Sequence, residues 1–205
     1  MSTPHLRLFI ALDLTPELRD AISVVQDDLR RLLPPKTVRW TNPEGIHLTL
    51  KFLGDTPVER VDAIAQAMAA AAASFTPFEF TVAGFGCFPN VRRANVLWVG
   101  VPDVPKPLAG LQRATDLQLT RLGFDKETRP FSPHLTLGRV NKKISSNNRA
   151  RLAGVLGQTK VGTLGIVPVE EVILFQSNLQ PGGAVYTALA RIPLTRDSSK
   201  IGDGA

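Results

Sequence analysis

One cysteine, Cys87, stands among 205 residues, so no disulfide can form within the chain and no cysteine-rich zinc site can be assembled. Histidine is nearly as scarce, and His5, His47 and His134 are the only imidazoles available. Long hydrophobic runs are missing too. The longest uncharged, apolar-looking stretch, residues 63–75, is alanine-rich and falls short of the roughly 20 apolar residues that a bilayer span needs. Asp13 interrupts the only hydrophobic run near the N-terminus, which argues against an export signal and makes the cytoplasm the expected compartment. There is no glycine-rich phosphate loop, no Gly-x-Ser-x-Gly elbow, no Cys-x-x-Cys pair and no run of five like charges. These absences exclude a P-loop nucleotidase, a serine hydrolase of the elbow type, a dithiol oxidoreductase and a basic nucleic-acid-binding arm.

What is present suits a soluble globular protein. With 43% hydrophobic and 20% charged residues the chain can build a core, and its length allows one domain or two small lobes sharing that core. A net charge of +6 mildly favours polyanionic partners. Residues 6–14 read as a strand, and Thr15, Pro16 and Glu17 then supply an N-cap, a first-turn proline and an early acid. The helix that follows places Leu18, Ile22, Val25, Leu29 and Leu32 on one face and ends at Pro34-Pro35. Residues 38–40 and 46–53 read as strands around an Asn-Pro-Glu-Gly turn, and Gly54 closes the second. Thr56-Pro57-Val58-Glu59 has the form of a capping box and predicts a helix over 57–73. Strands are expected at 78–85, 94–101, 134–140, 170–176 and 185–193. Helices are expected at 107–122 and, after a polar loop at 142–148, up to about residue 156. Residues 196–205 are polar and expected to be a frayed tail, which leaves 1–195 as a single bilobal domain.

A repeat organises these elements. His47-Leu48-Thr49-Leu50 recurs letter for letter as His134-Leu135-Thr136-Leu137. Phe9 precedes the first tetrad, and Val96 the second, by the same 38 residues (47 − 9 and 134 − 96), each at the start of a strand, helix and proline-bearing approach. Two related half-units are therefore expected to pack as lobes of one unit. On a strand, residues two apart share a face, so His47 and Thr49 point one way while Leu48 and Leu50 point into a core; His134 and Thr136 do the same.

If a pseudo-twofold relates the halves, two imidazoles and two hydroxyls converge on one cleft. Imidazole titrates near pH ~6.5, so one ring can accept a proton while the other donates one. Phosphodiester cleavage needs that pairing, a base for the attacking water and an acid for the departing alkoxide. Thr49, Thr136 and a nearby cation such as Arg139 would hold the non-bridging phosphate oxygens. The tetrads are identical, so they do not say which histidine is which. A metal site is disfavoured, because two histidines without a neighbouring carboxylate or thiolate underfill a zinc shell. His5 sits apart from either tetrad and is expected to be inert.

With these motifs the chain resembles the two-histidine (2H) phosphoesterase superfamily, and within it the bacterial and archaeal RNA 2′,3′-cyclic phosphodiesterases, once described as 2′-5′ RNA ligases. The resemblance runs over nearly the whole chain. It rests on the two His-x-Thr-x motifs together with Leu8-Phe9-Ile10-Ala11-Leu12, Arg39-Trp40, Lys51-Phe52-Leu53-Gly54, Gly86-Cys87-Phe88-Pro89, Arg129-Pro130-Phe131-Ser132-Pro133, Leu174-Phe175-Gln176-Ser177 and Tyr186. Gly138, where a larger apolar residue is usual, and the tail after Thr195 depart from the pattern.

The resemblance implies an α+β, bilobal, pseudo-twofold fold with antiparallel sheets lining a central cleft and helices outside. It implies no metal or cofactor, and hydrolysis of a terminal RNA 2′,3′-cyclic phosphate to a 2′-phosphomonoester. By position, His47 would be the proton donor and His134 the proton acceptor, with Thr49, Thr136 and Arg139 on phosphate and Phe9 beside the nucleoside. The expected partner is an RNA end, met by a monomer with no membrane involvement. Two alternatives stay open: the same chemistry on 2′-5′ linkages or small cyclic nucleotides, and an RNA-end-binding module without turnover. The modest charge and the lack of a basic tail predict a short binding mode of about one to three phosphates, with a shallow salt dependence and little contribution from Lys142 and Lys143.

Overall fold

In the computed structural model, residues 4–180 and 183–195 are described; the expectation for the tail at 196–205 lies outside them. The element order is β1 (His5–Leu12), α1 (Pro16–Leu32), β2 (Val38–Trp40), β3 (Leu48–Pro57), α2 (Val61–Ala72), β4 (Phe78–Phe88), β5 (Val96–Gly100), α3 (Lys106–Arg121), β6 (His134–Val140), α4 (Ser146–Gln158), β7 (Thr163–Val169), β8 (Glu171–Gln180) and β9 (Gly183–Pro193). Short 3-10 turns lie at Pro43–Gly45, Val58–Arg60 and Val91–Arg93. The strands form two sheets, ordered β3-β1-β8-β9 and β2-β6-β5-β4-β7, and every neighbouring pair is antiparallel.

The repeat is visible in the pairing register. Between β1 and β3, Phe9 faces Phe52, Ile10 faces Lys51, Ala11 faces Thr49 and Leu12 faces Leu48. Moving each of these by 87 residues, the interval from His47 to His134, gives the β5–β6 pairs: Val96 with Arg139, Leu97 with Gly138, Trp98 with Thr136, Val99 with Leu135. The irregularity recurs as well. Leu50 in the first tetrad and Leu137 in the second are each an extra residue with no partner opposite, a bulge at the same point of both repeats. The next strand follows suit, since β8 sets Phe175 against Phe9 and β4 sets Phe88 against Val96.

The lobes, however, are not the two consecutive halves. β4 belongs to the first repeat yet pairs with β5 of the second, and β8 belongs to the second yet pairs with β1 of the first. Each sheet is thus woven from both repeats. Leu48, Leu50, Leu135 and Leu137 are buried in the core, as their alternation with the cleft-facing residues requires.

Three local expectations give way. Thr56 does not cap a helix: β3 keeps pairing with β1 as far as Pro57, its hydroxyl donates to the Gly54 carbonyl, and α2 begins only at Val61. The ladder partners offered by β1 outweigh one side-chain cap. β7 is not among the expected strands, because Gly165 and Pro168 interrupt its pattern; it forms as an edge strand, where a proline is tolerated.

On α1 the buried face runs through Leu18, Ile22, Gln26 and Leu29, whereas Leu32 is 54% exposed. Gln26 belongs inside because its amide donates to the carbonyls of Thr41 and of the bulged Leu137, both at 2.8 Å. The Leu137 carbonyl also accepts from the Thr41 N–H at 2.9 Å. Gln26→Leu removes two buried hydrogen bonds and is expected to lower unfolding free energy by about 1–3 kcal/mol, read from the urea midpoint at unchanged slope.

Candidate active site

His47 directly precedes β3 and His134 opens β6, so both rings sit at the mouth of equivalent strands. Each is held by the same device. The His47 Nδ1–H donates to the Gly45 carbonyl at 2.9 Å and the His134 Nδ1–H to the Ser132 carbonyl at 2.8 Å, in each case two residues back. With Nδ1 engaged as the donor, Nε2 is the nitrogen left to exchange a proton. A cleft of about 730 Å³ runs between the sheets, and His47, Thr49, His134, Thr136 and Arg139 all line it. All five polar residues expected from the sequence are therefore gathered on one cavity.

The surroundings of the two rings differ. His47 stacks on Phe9, centroids 4.5 Å apart, and meets the edge of Tyr186 at 5.1 Å; Phe175 lies beyond at 6.1 Å. His134 meets the edge of Phe88 at 5.0 Å and has Trp98 at 6.3 Å. Burial in the aromatic cluster drives the His47 pKa down to about 4. The Gly45 carbonyl and Asp13 oppose that shift, and Arg19 adds to it.

The bulge explains how Arg139 reaches the cleft. It lies five residues after His134, an odd number, so a regular strand would turn it to the opposite face. The extra residue Leu137 resets the alternation, and Arg139 joins His134 and Thr136 while Val140 goes to the core. In the first repeat the position equivalent to Arg139 is Phe52, which lines the same cleft at 70% exposure. At this position one wall of the cleft carries a cation and the matching wall an aromatic ring.

Two cations line the cleft beyond the expected site residues. Arg39 on β2 sits directly opposite Arg139 on β6, and Arg7 enters from β1. Two guanidiniums paired across a sheet repel unless an anion lies between them. Glycine at 138 permits this juxtaposition, because a Cβ there would come within 2.7 Å of Val38 Cγ1 and 3.0 Å of the Arg39 carbonyl. Tyr186 also lines the cleft; burial raises the pKa of its hydroxyl, and Arg139 and Arg7 pull it back down. Nothing in single-residue spacing marks Arg7 or Arg39, and only strand pairing brings them in.

Phe9, expected beside the nucleoside, also lines the cleft. Although it reaches the cleft wall, it is only 2% exposed, its ring packed against His47, Phe175 and Tyr186. It shapes the ground under His47, and the exposed aromatic on that side is Phe52. Among the described residues no carboxylate lines the cleft, and no group of three or more His, Cys, Asp or Glu side chains is placed to hold a metal ion.

A duplicated fold with a histidine-threonine pair from each repeat facing one cationic cleft defines a two-histidine phosphoesterase. The family model described as LigT like Phosphoesterase matches the chain twice, over residues 12–98 and 99–186, and the chain belongs to that family. It is 38% identical over 181 residues to an RNA 2′,3′-cyclic phosphodiesterase of Methanothermobacter thermautotrophicus, covering 88% of this chain and 95% of that one. With the Escherichia coli RNA 2′,3′-cyclic phosphodiesterase it shares 30% identity over 196 residues, 96% of this chain and all of the other. Among solved structures, E. coli LigT complexed with 3′-AMP superposes with a TM-score of 0.75 at 27% identity, covering 94% of this chain and 100% of that one. A Thermus thermophilus protein superposes at 0.77, also at 27% identity, over 93% and 99%.

Proposed function

We propose that this protein is an RNA 2′,3′-cyclic phosphodiesterase that opens a terminal cyclic phosphate to a 2′-phosphomonoester, with residues 1–195 acting as one catalytic unit. The observation that carries the reading is the matched pair of Nδ1-anchored histidines on one cleft that, among the described residues, holds three guanidiniums and no carboxylate. The cyclic phosphate sits between Arg39 and Arg139, whose mutual repulsion it relieves, and its non-bridging oxygens accept from the Thr49 and Thr136 hydroxyls.

His134 takes a proton from water as the oxygen attacks phosphorus. The P–O3′ bond breaks, and His47 delivers its proton to the departing 3′ oxygen. The leaving alkoxide departs as an alcohol and the 2′ oxygen keeps the phosphate. The proton on His47 is held against the burial of its ring by the negative charge of the bound phosphodiester, since an opposite charge within about 4–6 Å favours the charged form. The cleft is complete within one chain, which suits a monomer, and we place it in the cytoplasm, where RNA ends occur; among the described residues no helix is long and apolar enough to cross a membrane.

The decisive experiment incubates the purified protein with an oligonucleotide ending in a 2′,3′-cyclic phosphate and identifies the product isomer. A 2′-phosphate is the expected product, and a 3′-phosphate or an unchanged substrate rejects the reading. The same assay in excess EDTA is expected to run at an undiminished rate, because a cleft lined by arginines repels a divalent cation and the charge relief comes from fixed donors. Activity lost to the chelator and restored by a divalent ion would overturn that part.

A further inference from the structure

The net charge of +6 averages two unlike parts of the molecule. Residues 33–43, 80–102 and 130–169 hold ten of the 24 basic residues and none of the 18 acidic ones, while the remainder carries 14 basic residues against all 18 acids. These acid-free segments are not scattered. They supply β2, most of β4, β5, β6, β7 and α4, which is the second sheet and the helix beside it. None of the ten cations forms an ion pair among the described residues.

Strand pairing gathers most of them at one end of that sheet. Val38 at the start of β2 faces Val140 at the end of β6, the Val140 N–H donates to the Asn95 carbonyl, and the Asn95 N–H donates to Phe88 at the end of β4. The turn holding Lys36, the loop holding Lys142 and Lys143, and the 3-10 turn holding Arg92 and Arg93 therefore lie at that end, and all five cations are exposed. Asn141 ties two of these segments by donating from its side-chain amide to the Lys36 carbonyl, and the Asn90 side chain accepts from the Arg93 N–H at 3.1 Å to fix the third. α4, with Arg149 and Arg151, packs on that same 3-10 turn. The belt begins in the cleft, because Arg39 and Arg139 each adjoin the Val38–Val140 pair.

We propose that this end of the second sheet is a phosphate track that holds the RNA strand leading into the cleft, on the 5′ side of the reacting nucleotide. The proposal rests on the reading of the cleft as an RNA cyclic phosphodiesterase site, and it replaces the short binding mode that the whole-chain charge predicts. The track has backbone cations without an aromatic series, so it reads phosphates and not bases. An RNA of ten or more nucleotides engages four or five phosphates there, each releasing about 0.7 counterions.

The test compares a 2′,3′-cyclic-phosphate 12-mer with the corresponding dinucleotide, in the wild type and in the charge reversals Arg92→Glu/Arg93→Glu and Lys142→Glu/Lys143→Glu. The 12-mer is expected to have the lower KM in the wild type, with a slope of log KM on log[salt] of about 3, against about 1 for the dinucleotide. Each double reversal is expected to raise the 12-mer KM at least tenfold and leave the dinucleotide within twofold. Equal KM and equal slope for the two substrates in the wild type overturn the track, and so do reversals that leave the 12-mer unaffected. If neither substrate turns over, the functional reading fails instead, and the track is judged by anisotropy of a labelled 12-mer, where binding must weaken in both reversals. Retention on anionic phosphatidylserine vesicles with no measurable 12-mer binding would reassign the belt to a membrane surface and reject it for RNA.

Discussion

Replacing either histidine with alanine is expected to slow opening of a cyclic phosphate by about 10²–10⁴-fold, the usual contribution of one positioned acid or base, while circular dichroism shows the fold retained. The equivalence of the two repeats makes the losses similar with the natural leaving group, so a second substrate is needed to separate the roles. An aryl phosphodiester departs as a stabilised phenolate and needs no proton. On it His47→Ala is expected to recover to within about tenfold of the wild type, whereas His134→Ala stays down by the full 10²–10⁴, because activation of water is still required. The opposite pattern would exchange the two assignments and keep the mechanism. Wild-type rates in either alanine variant on the cyclic substrate would remove that histidine from it.

The second large effect is on stability. Burial lowers the His47 pKa from 6.5 to about 4 in the folded state. Between those values the unfolded chain binds a proton that the folded one refuses, so stability falls as pH drops from 6.5 and levels off below about 4. The full difference is about 3 kcal/mol at 1.36 kcal/mol per pKa unit. Urea midpoints taken from pH 7 down to pH 4 should show this loss, and His47→Gln should flatten the part above pH 5, where few carboxylates titrate. A wild-type stability that stays level over pH 5–7 would contradict the burial of a neutral ring.

Much of this site could be read in the linear chain, for a specific reason. A duplication leaves two copies of the same four letters, and their agreement identifies His47, Thr49, His134 and Thr136 without any structural knowledge. The exact offset of 87 residues carries through to the register of two strand pairs. Arg139 was legible by proximity alone, and the bulge that turns it inward was not, since an extra residue on a strand has no signature of its own. Arg7 and Arg39 enter through pairing with distant strands, and single lysines and arginines on strands look alike wherever they point. Leu32 and Thr56 misled for a related reason. An apolar residue at helical spacing and a helix cap are local preferences, and partners from elsewhere in the fold overruled them: the Thr41 and Leu137 carbonyls hold Gln26 inside while Leu32 stays exposed, and the β1 ladder carries β3 past Thr56.

The crossing of β4 and β8 between the repeats has a meaning for assembly. Two copies of a single repeat, each lending the strand equivalent to β4 or β8 to the sheet of the other, would be a domain-swapped dimer with a twofold axis through the cleft. The present chain has that exchange of β4 and β8 within one polypeptide. A covalent link makes the two partners one molecule, so their sequences are free to diverge, and an arginine can stand on one side of the axis where a phenylalanine stands on the other. A symmetric pair of identical subunits could not hold phosphate with one wall and present an aromatic ring with its mirror position. Fusion is what allows a cleft built by symmetry to bind an asymmetric ligand in a single orientation.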